Sequence, residues 1–156
     1  MRVYIDKIKA TQDFVKQCIE LYGIADAKLS INGNGKPCLD RGYHISVSHS
    51  GGLIAAAIGN DALGIDIERI KERDHSALAK RYFTANEYAL VKSGGITRFY
   101  RLWTMKEAYM KIQGARLNTR VTEEKIIGEG YKIFHKIIDG YYLTVVSKDE
   151  EIIFAR

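Results

Sequence analysis

The chain has 156 residues, 46% of them hydrophobic and 28% charged, a balance that excludes wholesale disorder. No apolar run approaches the roughly 20 residues a bilayer-spanning helix needs, and two cysteines, Cys18 and Cys38, are too few for a disulfide framework and lack metal-ligand spacing. The formal net charge of +5 favours an anionic partner (nucleic acid, a phosphorylated cofactor or an acidic protein) without ranking the three.

The length suits one compact domain or two small halves sharing a core. The opening residues read as a strand and lack the apolar stretch of a signal peptide, so a cytoplasmic setting is expected. In chain order, alternation predicts a strand over Arg2–Ile8. A helix follows, with Thr11 as its expected N-cap, Phe14, Val15, Cys18, Ile19 and Tyr22 on one face, and Gly23 as its terminator. The stretch Asn32-Gly33-Asn34-Gly35-Lys36-Pro37 is turn chemistry. Strands are expected at His44–Ser48, Leu53–Gly59 and Leu63–Ile67, with a turn at Asn60-Asp61.

Helices then take over: Asp74–Tyr82, a second after Thr84, and a longer one from about Thr97 to Gln113, closed by Gly114. The tail, Lys125–Arg156, returns to strands. Asp139-Gly140 between apolar runs predicts a hairpin, and Lys148-Asp149-Glu150-Glu151 a second turn. The pattern reads as an α+β fold of two similar halves in close contact, residues 1–62 and 63–156.

Four constellations can carry chemistry. In Gly64-Ile65-Asp66-Ile67-Glu68, strand alternation sends Ile65 and Ile67 to the core and Asp66 and Glu68 to the other face. Their Cα atoms lie about 7 Å apart, so the longer Glu arm can lean toward the point that Asp reaches. Converging carboxylates suit an oxygen-liking cation, magnesium or calcium; an amphipathic strand with a solvated acidic face is the alternative. In Trp103-Thr104-Met105-Lys106-Glu107-Ala108-Tyr109-Met110-Lys111, positions 103, 107 and 111 share a helix stripe with Lys106 beside it. That set can hold a metal and its attached phosphates, or be a surface ion pair with Trp103 in the core. Ser48-His49-Ser50 before Gly51-Gly52 offers a phosphate cradle, or a satisfied turn histidine. Thr84-Ala85-Asn86-Glu87 is a capping box, with a site role for Glu87 left open.

Their order along the chain, from Gly35-Lys36-Pro37 through Ser48-His49-Ser50, Gly64–Glu68 and Phe83–Glu87 to Trp103–Ala108 with Lys111 and Gly114, resembles the 4'-phosphopantetheinyl transferase superfamily, the surfactin-synthetase-activating type in particular. The match covers roughly Gly33–Leu117. The resemblance implies a pseudo-twofold monomer, each half a small antiparallel sheet packed with helices, with coenzyme A in the cleft between the halves. It implies transfer of the 4'-phosphopantetheine group of coenzyme A to a serine of an acyl or peptidyl carrier protein in fatty-acid, polyketide or nonribosomal-peptide synthesis, with magnesium (or manganese) required and 3',5'-ADP released.

Carried over by position, Asp66, Glu68 and Glu107 match the metal ligands, and Lys106 and Lys111 the lysines near the pyrophosphate and pantetheine. Gly35, Lys36 and Pro37 match the segment beside the adenine, and Ser48 and His49 the 3'-phosphate contact. Glu107 and Lys111 are the expected catalytic pair, with Glu87 a second acidic position. Two rivals remain at this point: a non-catalytic coenzyme A or nucleotide-binding module, and a small basic nucleic-acid-binding domain. Zinc spacing, an RNP-like aromatic segment and an arginine-rich run are all absent from the sequence. No nucleic-acid or membrane partner is expected.

Overall fold

The computed structural model describes residues 1–33, 35–72, 74–115, 118 and 120–155. Asn34 in the expected turn, Leu117 at the edge of the family match and Arg156 at the end of the expected tail lie outside them. In chain order the elements are β1 (Arg2–Lys7), α1 (Thr11–Tyr22), β2 (Leu29–Ile31), β3 (Pro37–Leu39), β4 (His44–Ser50), β5 (Leu53–Gly59), β6 (Leu63–Arg69), α2 (Ser76–Tyr82), α3 (Ala85–Gln113), α4 (Glu123–Gly128), β7 (Lys132–Ile138), β8 (Tyr141–Ser147) and β9 (Ile153–Phe154). This is the expected α+β class. Among the described residues no helix is long and apolar enough to cross a membrane.

Two antiparallel units share one topology. In the first sheet the order is β4-β5-β1-β9, and in the second β6-β8-β7. A strand, a helical excursion and a hairpin therefore occur twice, and each time the second hairpin strand pairs with the opening strand. The tail complicates the division: β9 comes back to pair in parallel with β1.

The small side chains of β5 let it serve two faces. Ile54, Ala56 and Ile58 pack with Phe14, Val15, Cys18 and Ile19 of α1. Ala55 and Ala57 pack with Ile65 and Ile67 of β6 and Leu143 and Val145 of β8. The far face of the second sheet meets α3, where Tyr142 and Val146 join Phe99, Tyr100, Met105 and Ala108. Contact there is close enough to demand glycine: a Cβ on Gly64 would lie 1.9 Å from the Ala108 carbonyl oxygen.

Several expectations shift. Thr11 is the first helical residue and Ala10 the N-cap, with no side-chain cap bond. β2 and β3 pair as a small antiparallel hairpin, whose three-residue strands were too short to announce themselves. The strand expected to stop at Ser48 runs on to Ser50, so Ser48-His49-Ser50 is extended strand, not a turn. The two helices after Thr84 form one 29-residue α3 broken at Gly95, whose φ of 68° and ψ of −160° only glycine adopts readily. Residues 125–128, expected as the start of a strand region, belong to α4, which is capped by the Thr122 side chain on Lys125 N. Gly23 and Gly114 close their helices in the left-handed conformation as expected. The Asp139-Gly140 hairpin turns with φ of 47° and 80°, the sign that a type I′ turn requires.

Candidate active site

The site is assembled where β4 of the first sheet runs along the unpaired edge of β6, beneath the C-terminal half of α3. β6 alternates as its sequence requires. Ile65 and Ile67 are fully buried between the sheets. Gly64, Asp66 and Glu68 face α3, so the acidic face is covered rather than solvated, and Asp66 is only 5% exposed.

Asp66 Oδ1 accepts from Ser48 Oγ at 2.8 Å and from Lys111 Nζ at 2.8 Å. Lys111 also donates to the Ile65 carbonyl at 2.9 Å. The other carboxylate oxygen, Asp66 Oδ2, is buried with no hydrogen-bond partner. Glu68 accepts from Ser50 Oγ at 2.7 Å. Burial pushes the Glu68 carboxyl above its ordinary range, and the Asp66 charge adds to the rise against the Ser50 hydrogen bond. Burial likewise pushes up Glu107, helped by the charges of Asp66 and Glu68 and opposed by Lys111. The Asp66 charge therefore disfavours ionisation of both glutamates, and Glu68 adds to the effect on Glu107.

Among the described residues no group of three or more His, Cys, Asp or Glu side chains already stands at ligating distances. Carboxylates repel without a cation between them, and Lys111 supplies a compensating charge on Asp66. The donor set still suits a hard divalent cation: oxygen only, partly dehydrated, with one buried oxygen that nothing satisfies. Asp66, Glu68 and Glu107 fit magnesium or manganese on those grounds.

Beside these residues opens a cleft of about 540 Å³, lined by Gly35, Lys36 and Pro37 of the β2–β3 hairpin, Ser46 and Val47 of β4, and Glu107, Met110 and Lys111 of α3. Lys36 Nζ donates to the Lys111 carbonyl at 2.6 Å, joining hairpin to helix end. Burial holds the Lys36 ammonium below the usual lysine range. The cleft so brings together Gly35, Lys36, Pro37, Glu107 and Lys111, with Asp66 attached through Lys111.

Other expected site residues go elsewhere. His49 is exposed on the opposite face of β4 from Ser48, which is buried. Lys106 turns into the core: its ammonium pairs with Glu87 Oε2 at 2.9 Å and donates to the Val121 carbonyl. Glu87 also accepts from Thr84 N at 2.7 Å, completing the capping box. Ser46, which sequence reasoning passed over, and Ser50, which it read as part of a phosphate cradle, are site neighbours. The signal for them was the serine at every second position, 46, 48 and 50, of one strand.

The sequence profile of the 4'-phosphopantetheinyl transferase superfamily matches residues 62–139. The chain belongs to this superfamily. The match begins one residue before β6 and ends in the β7–β8 turn, so it takes in all of Asp66, Glu68, Glu87, Lys106, Glu107 and Lys111. Relatives agree. The 4'-phosphopantetheinyl transferase gsp of Aneurinibacillus migulanus is 37% identical over 105 residues, 64% of this chain and 44% of its own. Sfp of Bacillus subtilis strain 168 is 36% identical over 100 residues, 60% of this chain and 44% of its own. A further 4'-phosphopantetheinyl transferase of Bacillus subtilis is 34% identical over 142 residues, 83% of this chain and 63% of its own. The chain thus spans less than half the length of gsp and Sfp.

Proposed function

We propose that this chain transfers the 4'-phosphopantetheine group of coenzyme A to a serine of an acyl or peptidyl carrier protein, with magnesium required and manganese a substitute, releasing 3',5'-ADP. The observation that carries the reading is the junction of two features: a cleft with Lys36 and Lys111 on its walls, and a partly dehydrated acidic group beside it with Asp66 Oδ2 unsatisfied. Superfamily membership supplies the substrate class. In this reading residues 1–62 and 63–156 are the two halves, and the reaction takes place between them.

In the reaction the carrier serine Oγ attacks the phosphorus that bears pantetheine. The bond from that phosphorus to the ADP oxygen breaks, the electron pair leaves with 3',5'-ADP, and the serine proton goes to a base. Glu107 lines the cleft and is the carboxylate placed to take it. Lys36 and Lys111 bring cations to the phosphates, and Gly35 and Pro37 shape the wall beside the adenine. Asp66, Glu68 and Glu107 would hold the metal, which when bound neutralises charge gathering on the pyrophosphate oxygens. His49, exposed on the other face of β4 from Ser48, is assigned to the 3'-phosphate on its match to the family position alone. The buried Lys106–Glu87 pair is assigned to holding α3 in place rather than to coenzyme A.

The partner is an acidic carrier protein meeting a chain of net charge +5. In this reading the protein acts as a cytoplasmic monomer. The deciding experiment is the intact mass of an apo carrier protein incubated with this chain, coenzyme A and magnesium. The carrier is expected to gain one phosphopantetheine group, and an unchanged mass across acyl and peptidyl carriers would overturn the reading.

A further inference from the structure

β6 is the edge strand of the second sheet, so the N–H groups on its outer side have no strand partner. Such groups cost free energy when left unpaired in a buried place. Here serine hydroxyls of β4 take two of them. Ile65 N donates to Ser46 Oγ at 3.2 Å, and Arg69 N donates to Ser50 Oγ at 3.1 Å. Residues two apart on a strand repeat at the same spacing on both sides of the junction. Ser46, Ser48 and Ser50 therefore face Ile65 to Arg69 like rungs.

Satisfying the edge explains Ser46 completely. It does not explain the other two. Ser48 donates to Asp66 Oδ1 at 2.8 Å, and Ser50 donates to Glu68 Oε2 at 2.7 Å while accepting from Arg69 N. A hydroxyl has one proton. In Ser50 the incoming N–H fixes where that proton points, which is at the carboxylate. Bonds from a hydroxyl to a carboxylate are charge-assisted and short.

The consequence is a fixed orientation for each acid. Ser48 and Lys111 both occupy Asp66 Oδ1, so Asp66 presents only Oδ2 to a cation. Ser50 anchors Glu68 by Oε2 against the repulsion from Asp66. We propose that Ser48 and Ser50 are positioning residues for the acidic pair: their hydroxyls hold Asp66 and Glu68, across the junction of the two sheets, in the orientation in which the carboxylates take a divalent cation. The proposal rests on the metal-binding reading above and adds the first sheet to it. The strand that walls the coenzyme cleft also sets the metal ligands, so the two sites are built from one element.

Titration of Mn2+ in the presence of coenzyme A, followed by electron paramagnetic resonance of the free ion, tests it. Ser50→Thr and Ser50→Val have the same shape, and only threonine keeps the donor. Ser50→Val is expected to bind Mn2+ about 10–100-fold more weakly, the usual effect of removing a hydrogen bond to a metal ligand, and Ser50→Thr to keep wild-type binding. Ser48→Ala is the second variant, for use if the added methyl at position 50 prevents folding, and the same loss is expected. Circular dichroism and denaturant midpoints show whether Thr and Val disturb the fold equally. Wild-type Mn2+ affinity in both Ser50→Val and Ser48→Ala would overturn the positioning role alone. Loss of coenzyme A affinity in Ser48→Ala with Mn2+ binding intact would instead put that hydroxyl on the coenzyme and overturn its part. No Mn2+ uptake by the wild-type chain would overturn the metal-binding reading, and this proposal with it.

Discussion

Lys106 Nζ lies 2.9 Å from Glu87 Oε2 with none of the lysine side chain exposed. Glu87 is the N3 residue of α3, and Lys106 lies beyond the break at Gly95. One carboxylate thus caps the helix start and neutralises a buried ammonium from its second segment. Burial pulls the Lys106 ammonium below its ordinary range, and Glu87 pushes it back up.

Removing one partner leaves the other charge buried and alone. Lys106→Met is expected to cost about 3–5 kcal/mol of stability. The double variant Lys106→Met/Glu87→Gln should recover much of that, because no orphan charge remains. Urea denaturation of the three proteins measures it. A single-variant loss below about 1 kcal/mol, the range of an exposed pair, would show that the site relaxes around the missing charge.

Much of this architecture was legible in the residues, and the reasons differ by element. The Gly64–Glu68 strand declared itself because its apolar and acidic residues alternate with the pleat. The Asp139-Gly140 turn did so because few residue pairs take positive φ twice. Trp103, Glu107 and Lys111 were placed together by helical spacing. Lys106 was harder: it neighbours Glu107 in sequence, but about 100° of rotation about the helix axis separates cleft from core. Only packing decides which side faces Val121. Ser48-His49-Ser50 misled because Gly51-Gly52 suggested a turn. The strand runs to its last residue, and alternation then sends His49 away from both serines.

The raised carboxyls give the metal-free protein a definite pH response. Glu68 and Glu107 both titrate above the ordinary 4.5. Between that value and their folded pKa values, the native protein holds protons that the unfolded chain has released. Stability must therefore fall as pH rises through that window. Magnesium binds the ionised forms, so its stabilising effect is expected to be full near neutral pH and to fade on acidification through the same window. Thermal midpoints against pH, with and without magnesium, test this beside Glu68→Gln/Glu107→Gln. Identical slopes for wild type and the double variant without metal would remove these two groups as the cause.

His49 is exposed, so truncating it should leave the fold alone. His49→Ala is expected to weaken binding of coenzyme A more than that of dephospho-coenzyme A, since only the former carries the 3'-phosphate. Calorimetry with both ligands separates them. An equal loss for the two would move His49 to another part of the ligand.

Glu107→Gln sets stability against function. The side chain is half-buried beside Asp66 and Glu68, and both burial and their charges disfavour its ionised form. Gln keeps the shape and one acceptor oxygen while removing the charge. The metal-free variant should therefore be at least as stable as the wild type at neutral pH, since Gln removes a charge that this site disfavours. Turnover should move the other way. Loss of a general base lowers the rate by about 10²–10⁴-fold, and a cation that prefers charged oxygens is held less tightly. An ordinary structural glutamate behaves differently, because replacing it costs stability and leaves the rate unchanged. Denaturation of the metal-free protein and steady-state transfer kinetics across a magnesium titration give the two readouts on one variant. A stable Glu107→Gln protein that transfers at the wild-type rate at every magnesium concentration would remove Glu107 from both roles.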